Sequence, residues 1–285
     1  MSNQSSHKTP KPLAQSKPGR SPGNRSLERG IEILRAFRPG SEVLGNGELA
    51  ERTGLSRATV TRLAQTLTGA GYLQADRATR AYRLAPAVLS LSHAMKTGST
   101  LLKIAAPLMR ALAESQRINV GLAAPDRDEM VYLESIRYSR RVALRKVVSG
   151  QRVPMELTSL GRAYLATLAD AQRKDLLAFF KRKHGAQWPH IAKAIELASD
   201  EIAANGYCAV SWQPEVVALA TPLRLVDATY VLNVSTSTSD SMQPEVERLA
   251  PLVLRLLRDV QHGIELEHPG EAEGARIRSH GVNSS

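Results

Sequence analysis

Hydrophobic positions recur at helical spacing through the first third of the chain and predict three short helices. Ser26 is the expected N-cap of the first helix and Asn46 that of the second, which Gly54 can close in a left-handed conformation. Ser56 is the expected N-cap of the third helix. The apolar stripe of the first helix consists of Leu27, Ile31, Leu34 and Phe37. That of the third helix consists of Val60, Leu63 and Leu67. We expect these helices to share one small core.

The second and third predicted helices, joined by a short turn, form the pattern of a helix-turn-helix motif, in which the second helix enters the DNA major groove. The third helix is polar opposite its apolar stripe, and its first residues are placed to reach base edges. The residues that we expect to contact DNA here are Asn46, Ser56, Arg57, Thr59, Thr61, Arg62 and Gln65. An ordinary helical hairpin with a solvated polar face gives the same pattern, so the flanking sequence has to distinguish the two interpretations.

A predicted hairpin directly follows the third helix. Residues 72–75 and 81–84 are typical of two short strands around the polar turn 76–80. A hairpin in this position is a wing, and the basic residues of its tip, Arg77 and Arg80, can contact phosphates or enter a minor groove. Three helices followed by a wing are far more specific evidence for a DNA-binding domain than two helices alone. The sequence therefore predicts a winged helix-turn-helix DNA-binding domain over residues 25–86.

The distribution of charge agrees with DNA binding. Residues 1–86 contain 14 Lys and Arg against 6 Asp and Glu, whereas the other 199 residues contain 24 against 21. Most of the formal net charge of +11 thus lies on the smaller N-terminal part, as neutralisation of phosphates requires. A membrane-surface protein can be equally basic. However, the sequence has neither a basic amphipathic helix with large apolar anchors nor 18 consecutive apolar residues, so we expect no membrane partner.

Composition indicates two globular domains with a loose tail at each end. A chain of 285 residues with 42% apolar content is long enough for two hydrophobic cores. Residues 1–24 contain no acidic and almost no apolar residue, and are expected to form a disordered basic tail. Residues 265–285 are expected to form a second loose tail. The single cysteine, Cys208, fits the reducing cytoplasm.

The pattern of elements changes after residue 86, where residues 87–100 are expected to form a helical linker that also helps to form a dimer. The elements expected beyond it are a helix at 101–116, strands at 118–124, 130–135 and 142–148, helices across 159–204 with breaks near Gly185 and Pro189, strands at 207–211, 216–222 and 229–236, and a helix at 244–263. Residues 125–128 are expected to form a turn. Strands in hairpin-like order predict an α+β domain with an antiparallel sheet over residues 101–264.

Other candidate chemistry in the sequence is weak. Residues 45–50 fit the G-x-G-x-x-A dinucleotide fingerprint, but they lack the preceding strand and the enclosing βαβ unit. The acidic run 126–129 is better explained as a charged turn than as a metal site, and Cys208, His184 and His190 lack metal-ligand spacing. The sequence contains no G-x-S-x-G or H-E-x-x-H motif and no nucleophile–base pairing that we recognise. We therefore expect no metal, no cofactor and no enzymatic activity.

The segments RSLERGIEILRAF, ELAERTGLSRATVTRLAQTLTGAGYLQ and AYRLAPAVLSL resemble the N-terminal domain of the IclR family of bacterial transcriptional regulators. The segments NVGLAAPDRDEMVYLESI, ALRKVVSGQRVPMELTSLGRAYLA, NGYCAV and ALATPLRLVDATYVLNVSTS are similar to the family's C-terminal domain. The resemblance implies a winged domain on double-stranded operator DNA and a GAF-like α+β domain that binds a small-molecule effector. It also implies a homodimer or a dimer of dimers on a palindromic site. RNA polymerase is a further partner that we consider for such a regulator.

The same resemblance implies where the effector lies, since family pockets are lined by the sheet and by the loop before the central helix. The residues that it implicates are Leu144, Met155, Thr158, Ser159, Leu160, Val210, Ala220, Asn233 and Ser235. Some family members carry Cys at the position of Ala220 and Asp at that of Val210, so this pocket is expected to prefer a more apolar ligand such as an aromatic acid. Core packing explains Leu144 and Val210 equally well. The basic pairs 140–141 and 145–146 either steer an acidic ligand or mark a solvated strand end.

Two functional hypotheses of different class follow. The first is a ligand-responsive, DNA-binding transcriptional regulator of a catabolic or metabolic operon, with a small organic acid as effector. The alternative is an enzyme that acts on a small acid and carries an accessory nucleic-acid-binding domain. Only the first accounts for the charge asymmetry and the wing. Tight ligand binding without turnover would separate them.

Overall fold

The computed structural model describes residues 23–76, 78–138, 147–211, 215–238 and 241–267. The chain divides into two compact units, Met1–Met95 and Lys96–Ser285. The first contains one cluster of buried hydrophobic residues, and the second contains two. The division falls within the segment 87–100, for which the sequence predicts a linker.

The N-terminal unit is a winged helix-turn-helix domain, as predicted. Its elements are α1 (Arg25–Ala36), β1 (Leu44–Gly45), α2 (Asn46–Thr53), α3 (Arg57–Gly69), β2 (Leu73–Asp76) and β3 (Ala81–Leu84), followed by α4 (Ala87–Thr97). The three strands form an antiparallel sheet in the order β1-β3-β2. Gly54 has φ 67° and closes α2 in the left-handed conformation that allows the tight turn into α3. Buried residues of all three helices and of the hairpin form the core, including Ile33, Leu49, Val60 and Leu73.

The buried face of α1 agrees only in part with the predicted one. Leu27 and Ile31 are 62% and 45% exposed, while Gly30, Ile33 and Ala36 are buried. Helix α1 packs against both α2 and α3. Of the predicted stripe, Phe37 is buried and Leu34 packs against the core, whereas Leu27 and Ile31 are left uncovered by their own unit.

Two of the predicted N-caps are also wrong. Asn24 rather than Ser26 caps α1, because its Oδ1 accepts a hydrogen bond from the Ser26 backbone N–H at 3.0 Å. Gly45 rather than Asn46 precedes α2, because its pairing in β1 holds it in an extended conformation. The Glu48 carboxylate accepts the Gly45 N–H at 2.9 Å and so completes the start of α2.

The C-terminal unit is an α+β domain with an antiparallel sheet, as predicted. Its elements are α5 (Thr100–Gln116), β4 (Asn119–Asp126), β5 (Glu129–Ile136), β6 (Arg152–Pro154), α6 (Ser159–Leu165), α7 (Asp170–His184), a 3₁₀ turn (Gly185–Gln187), α8 (Trp188–Asn205), β7 (Cys208–Val210), β8 (Val216–Arg224), β9 (Thr229–Ser237) and α9 (Met242–Glu267). The described strands follow the order β6-β5-β4-β9-β8-β7. Helices α5 and α9 cover one face of the sheet, and α6, α7 and α8 contribute to the core on the other.

Several element boundaries differ from the expected ones. Strand β4 continues through Asp126, so the turn contains only Arg127, at φ 63°, and Asp128. Strand β6, which pairs with β5, is not evident in the sequence because it has three residues. Most of the expected strand 142–148 lies outside the described residues. Helix α9 is longer than expected at both ends and continues to Glu267, into the stretch that composition marks as a tail.

Candidate DNA-binding and effector sites

The start of α3 is fixed by side-chain hydroxyl groups. Ser56 Oγ accepts the Thr59 backbone N–H at 3.3 Å and lies 3.0 Å from Thr59 Oγ1. Thr61 Oγ1 donates to the Arg57 carbonyl oxygen at 2.9 Å. These three hydroxyl groups, which the sequence places at DNA, already have partners within the chain. Their first role is therefore to hold the N-terminal turn of α3 in position.

Longer side chains form the outward face of α3. Arg57, Arg62 and Gln65 are exposed, and none has a hydrogen-bond or ion-pair partner within the described part of the chain. Gly47 lies beside this face, since a side chain there would come within 3.8 Å of the Arg57 guanidinium. Asn46 belongs to the first turn of α2, and its Oδ1 is buried without a hydrogen-bond partner among the described residues. The side chains best placed to contact bases are thus the two arginines and the glutamine.

The wing tip is organised by Asp76. Its Oδ1 accepts the backbone N–H groups of Ala78 and Thr79 at 3.0 and 3.3 Å, and its Oδ2 lies 3.0 Å from the Arg83 guanidinium. Hydrogen bonds from Thr79 and then Ala78 hold the pKa of Asp76 below its ordinary value. Arg80 is exposed at the tip with φ 52°. Arg77, the other predicted contact of the tip, lies outside the described residues.

The expected effector residues of the sheet share one face. Strand pairing places Asn233 of β9 between Ala220 of β8 and Gly121 of β4. Two residues further along these strands, Ala218 of β8 lies between Val210 of β7 and Ser235 of β9. Since residues two apart on a strand point to the same face, these rows form one continuous surface. Each of the expected residues on it is at most 6% exposed.

The other described effector candidates lie in the buried loop before α6 and at its start: Met155, Thr158, Ser159 and Leu160. Thr158 Oγ1 donates to the Pro154 carbonyl oxygen at 2.8 Å and accepts the Gly161 N–H at 3.3 Å. The loop meets the sheet at Cys208, whose Sγ lies 3.5 Å from the Ser159 carbonyl oxygen. Burial raises the pKa of the Cys208 thiol to about 12, so it remains neutral. Loop and sheet candidates therefore meet in one buried region, while Leu144 lies outside the described residues.

A contact around Gly121 was not predicted. A side chain at this position would collide with Asn233 and with the Tyr132 ring, so the glycine lets both groups pack over β4. Asn233 Oδ1 is buried there and lacks a hydrogen-bond partner among the described residues. The contact depends on which strands are neighbours and on the irregular β4–β5 register next to Leu122. Spacing within the sequence carries no signal for it.

A buried ionic network around Glu156 was also not predicted. The Glu156 carboxylate is fully buried and lies 2.6 Å from His184 Nε2 and 3.0 Å from Lys183 Nζ. Burial by itself raises the pKa of Glu156, but the hydrogen bonds from His184 and Lys183 outweigh burial and lower it overall. The network joins the loop before α6 to the end of α7, and Glu156 is 28 residues from His184 in sequence.

The acidic run 126–129 is engaged in ion pairs. Arg152 contacts both Asp126 and Glu129. Within the described ranges, no group of three or more His, Cys, Asp or Glu side chains is arranged to hold a metal ion. Over the same ranges, no helix combines the length and the apolar character needed to cross a membrane.

Comparison with known proteins finds regulators over most of the chain. Residues 26–77 match the IclR helix-turn-helix domain, and residues 93–262 match the C-terminal domain of the bacterial transcriptional regulator IclR. The HTH-type transcriptional regulator TsaQ1/TsaQ2 of Comamonas testosteroni is 36% identical over 185 residues, which span 64% of this chain and 66% of that protein. The p-hydroxybenzoate hydroxylase transcriptional activator of Acinetobacter baylyi is 29% identical over 147 residues, 50% of this chain and 53% of its own. An IclR family transcriptional regulator from Brucella abortus has a similar structure, with a TM-score of 0.74 and 31% identity over 85% of this chain and 93% of its own.

A winged helix-turn-helix unit followed by an α+β unit with an antiparallel sheet defines a two-domain, DNA-binding transcriptional regulator. The chain belongs to the IclR family of bacterial transcriptional regulators. The matched families and relatives are regulators, not enzymes.

Proposed function

We propose that the chain is an effector-responsive regulator that binds operator DNA through α3 and the wing and controls a catabolic or metabolic operon. The observation that supports this most is the contrast between the two units. One unit presents exposed arginines on a helix, with no partner for them among the described residues, and the other encloses polar side chains on one face of a sheet. The first arrangement suits an external polyanion, and the second suits a small buried ligand. The proposal also includes that the protein acts in the cytoplasm and that it contacts RNA polymerase.

The proposal assigns different roles to α3 and the wing. Arg57, Arg62 and Gln65 would contact base edges in the major groove, where arginine pairs with guanine and glutamine with adenine. Arg80 would contact the phosphate backbone, because an exposed hairpin tip reaches the groove edge rather than its floor. The buried or hydrogen-bonded candidates Asn46, Ser56, Thr59 and Thr61 would position these groups. Specificity would therefore depend on few side chains.

Arg57→Ala is expected to weaken binding to the selected operator by about 1–3 kcal/mol and to relax base preference at one position. Arg80→Ala is expected to weaken binding to all sequences by a similar factor, because phosphates are common to all of them. The operator is first selected from random duplexes with the wild-type protein. Fluorescence anisotropy on that site and on a scrambled one then measures both variants. Equal losses on both duplexes for Arg57→Ala would contradict base reading by this residue.

We propose that the effector is a small organic acid, with aromatic acids as the favoured class, and that it binds between the sheet face and the loop before α6. The region combines an apolar surface, including Val210, Ala220 and Leu160, with a few polar groups, as ligand sites do. The similarity to an activator of a hydroxybenzoate hydroxylase supports the aromatic class. Leu144 is part of the proposal because of the family resemblance alone.

We propose that the chain forms a homodimer, or a dimer of dimers, through the exposed apolar residues of α1 and α4. On α1, Leu27 and Ile31 are one turn apart and exposed. On α4, Leu89, Leu91 and Met95 are 73%, 57% and 50% exposed. Apolar residues exposed in such numbers on neighbouring turns mark interaction surfaces. A symmetric dimer would also present two recognition helices to a palindromic site.

Leu91→Glu is expected to shift the protein from dimer towards monomer, because the new carboxylate would lose water at an apolar interface. Light scattering after size-exclusion chromatography measures the mass at several protein concentrations. Ser92→Glu, at the neighbouring exposed position of α4, is the matched control and should retain the wild-type mass. A wild-type protein that is monomeric at all concentrations would contradict the proposed interface.

A further inference from the structure

Among the polar atoms that are buried without a hydrogen-bond partner among the described residues, two lie close together: Asn233 Oδ1, on the effector-facing side of the sheet, and one terminal guanidinium nitrogen of Arg137. Nearly all buried polar atoms in folded proteins are hydrogen-bonded. An unpaired acceptor and an unpaired charged donor in one domain therefore require an explanation. A ligand that supplies the missing donor and acceptor is the simplest one.

Both groups border the same aromatic ring. Arg137 Cζ lies 5.3 Å from the centroid of the Tyr132 ring. Because Gly121 has no side chain, the edge of the Tyr132 ring and the Asn233 amide both lie directly over it. Tyr132 is itself only 6% exposed. A half-buried arginine, a buried aromatic ring and a buried amide thus lie side by side at the end of β5.

The Arg137 guanidinium is held in place by neutral groups. Its Nε donates to Ser135 Oγ at 2.7 Å and to the Val147 carbonyl oxygen at 3.1 Å. Ser135 pairs with Gly121, which places it on the same face as Asn233. The structure gives Arg137 no carboxylate partner within the described ranges. By the described residues, its charge is therefore oriented but not neutralised, which is the arrangement that a carboxylate ligand requires.

The loop before α6 offers a weaker site for an acid group. The Thr158 hydroxyl already donates to Pro154 and accepts from Gly161. It can satisfy a ligand only by giving up one of these bonds. The terminal nitrogen of Arg137 that lacks a partner among the described residues needs no such exchange.

We propose that Arg137 binds the carboxylate of the effector and that Asn233 binds a hydroxyl group of the same molecule. The effector class is then a hydroxylated acid, and the Tyr132 ring favours one with an aromatic body. The inference rests on the proposed function, because it assigns groups within the same effector site. It adds Arg137 and Tyr132 to the residues that the family resemblance implicates.

The test removes each ligand group and each protein group in turn. Isothermal titration calorimetry measures the affinities of 4-hydroxybenzoate, benzoate and phenol for the full-length protein. Arg137→Gln is expected to weaken 4-hydroxybenzoate binding about tenfold to a hundredfold and to leave phenol binding unchanged. Asn233→Leu is expected to weaken 4-hydroxybenzoate binding about threefold to tenfold and to leave benzoate binding unchanged. Arg137→Lys should restore part of the loss because it keeps the charge.

Two controls separate a binding role from a structural one. Arg173→Gln removes another half-buried arginine of the same unit, one that contacts Ser199 on α8, and should leave all three affinities unchanged. Asn233→Leu removes an unpaired buried acceptor, so the melting temperature of the ligand-free protein should stay the same or rise. Equal losses for 4-hydroxybenzoate and phenol in Arg137→Gln would overturn the assignment of the carboxylate. Failure of the wild-type protein to bind any of the three would overturn the ligand class, while operator binding by the same protein would still support the regulator.

Discussion

Val60→Asp is expected to abolish operator binding while the C-terminal unit stays folded. Val60 is fully buried on the inner face of α3, in the cluster that contains Ile33 and Leu49. A carboxylate without a partner there would cost on the order of 3–5 kcal/mol. A domain of this size is stable by only about 3–9 kcal/mol, so the substitution would remove most or all of its stability. The C-terminal unit has separate cores and should not respond.

The measurement combines calorimetric melting with an anisotropy titration on the operator. The thermal transition of the N-terminal unit should shift to lower temperature or disappear, and the transition of the C-terminal unit should remain. Thr66→Asp places the same carboxylate at an exposed position of the same helix and controls for added negative charge. It should keep the fold and lose affinity only modestly, through repulsion of phosphates. Retention of full DNA affinity by Val60→Asp would show that α3 is not packed as described.

The DNA-binding unit could be predicted closely because its signals are local. The stripe on α3, the glycine at the turn and the hairpin that follows all lie within about forty residues and depend on neighbouring positions. Helix α1 shows the limit of this reasoning. Apolar spacing gives Leu27 and Ile31 as the core face, whereas packing against α2 and α3 buries Gly30 and Ile33. Only the tertiary partners decide between two faces that are both apolar.

The residues of the candidate effector site could be proposed from the sequence, but the contacts that these residues make could not. The resemblance identifies Asn233, Ser235 and the loop before α6, and the structure brings them to one region. Which groups lack partners there depends on strand order and register, since β4 and β9 are neighbours although about 110 residues separate them in sequence. Arg137 follows β5, and the pairing of β5 with β4 shifts register next to Leu122. For this reason, sequence periodicity assigns it no face.

Ser235→Leu is expected to abolish effector binding without changing operator affinity. Ser235 is 4% exposed and lies on the face that carries Asn233, so a larger apolar side chain would fill space that the ligand needs. Overpacking a buried position costs about 1–3 kcal/mol. The C-terminal unit is large enough to tolerate this cost and remain folded. The DNA-binding unit has its own core and should keep its affinity.

A thermal-shift screen of small organic acids, including hydroxybenzoates, tests this prediction. A ligand at a hundredfold excess over its dissociation constant stabilises the folded state by about 2.7 kcal/mol, a rise in melting temperature of about 5–10 °C for a unit of this size. The wild-type protein should show that rise, and Ser235→Leu should not. Thr236→Leu adds the same side chain to the opposite face of β9 and is the matched control, which should still respond. If an acid that stabilises the wild type stabilises Ser235→Leu equally, the effector binds elsewhere on the protein.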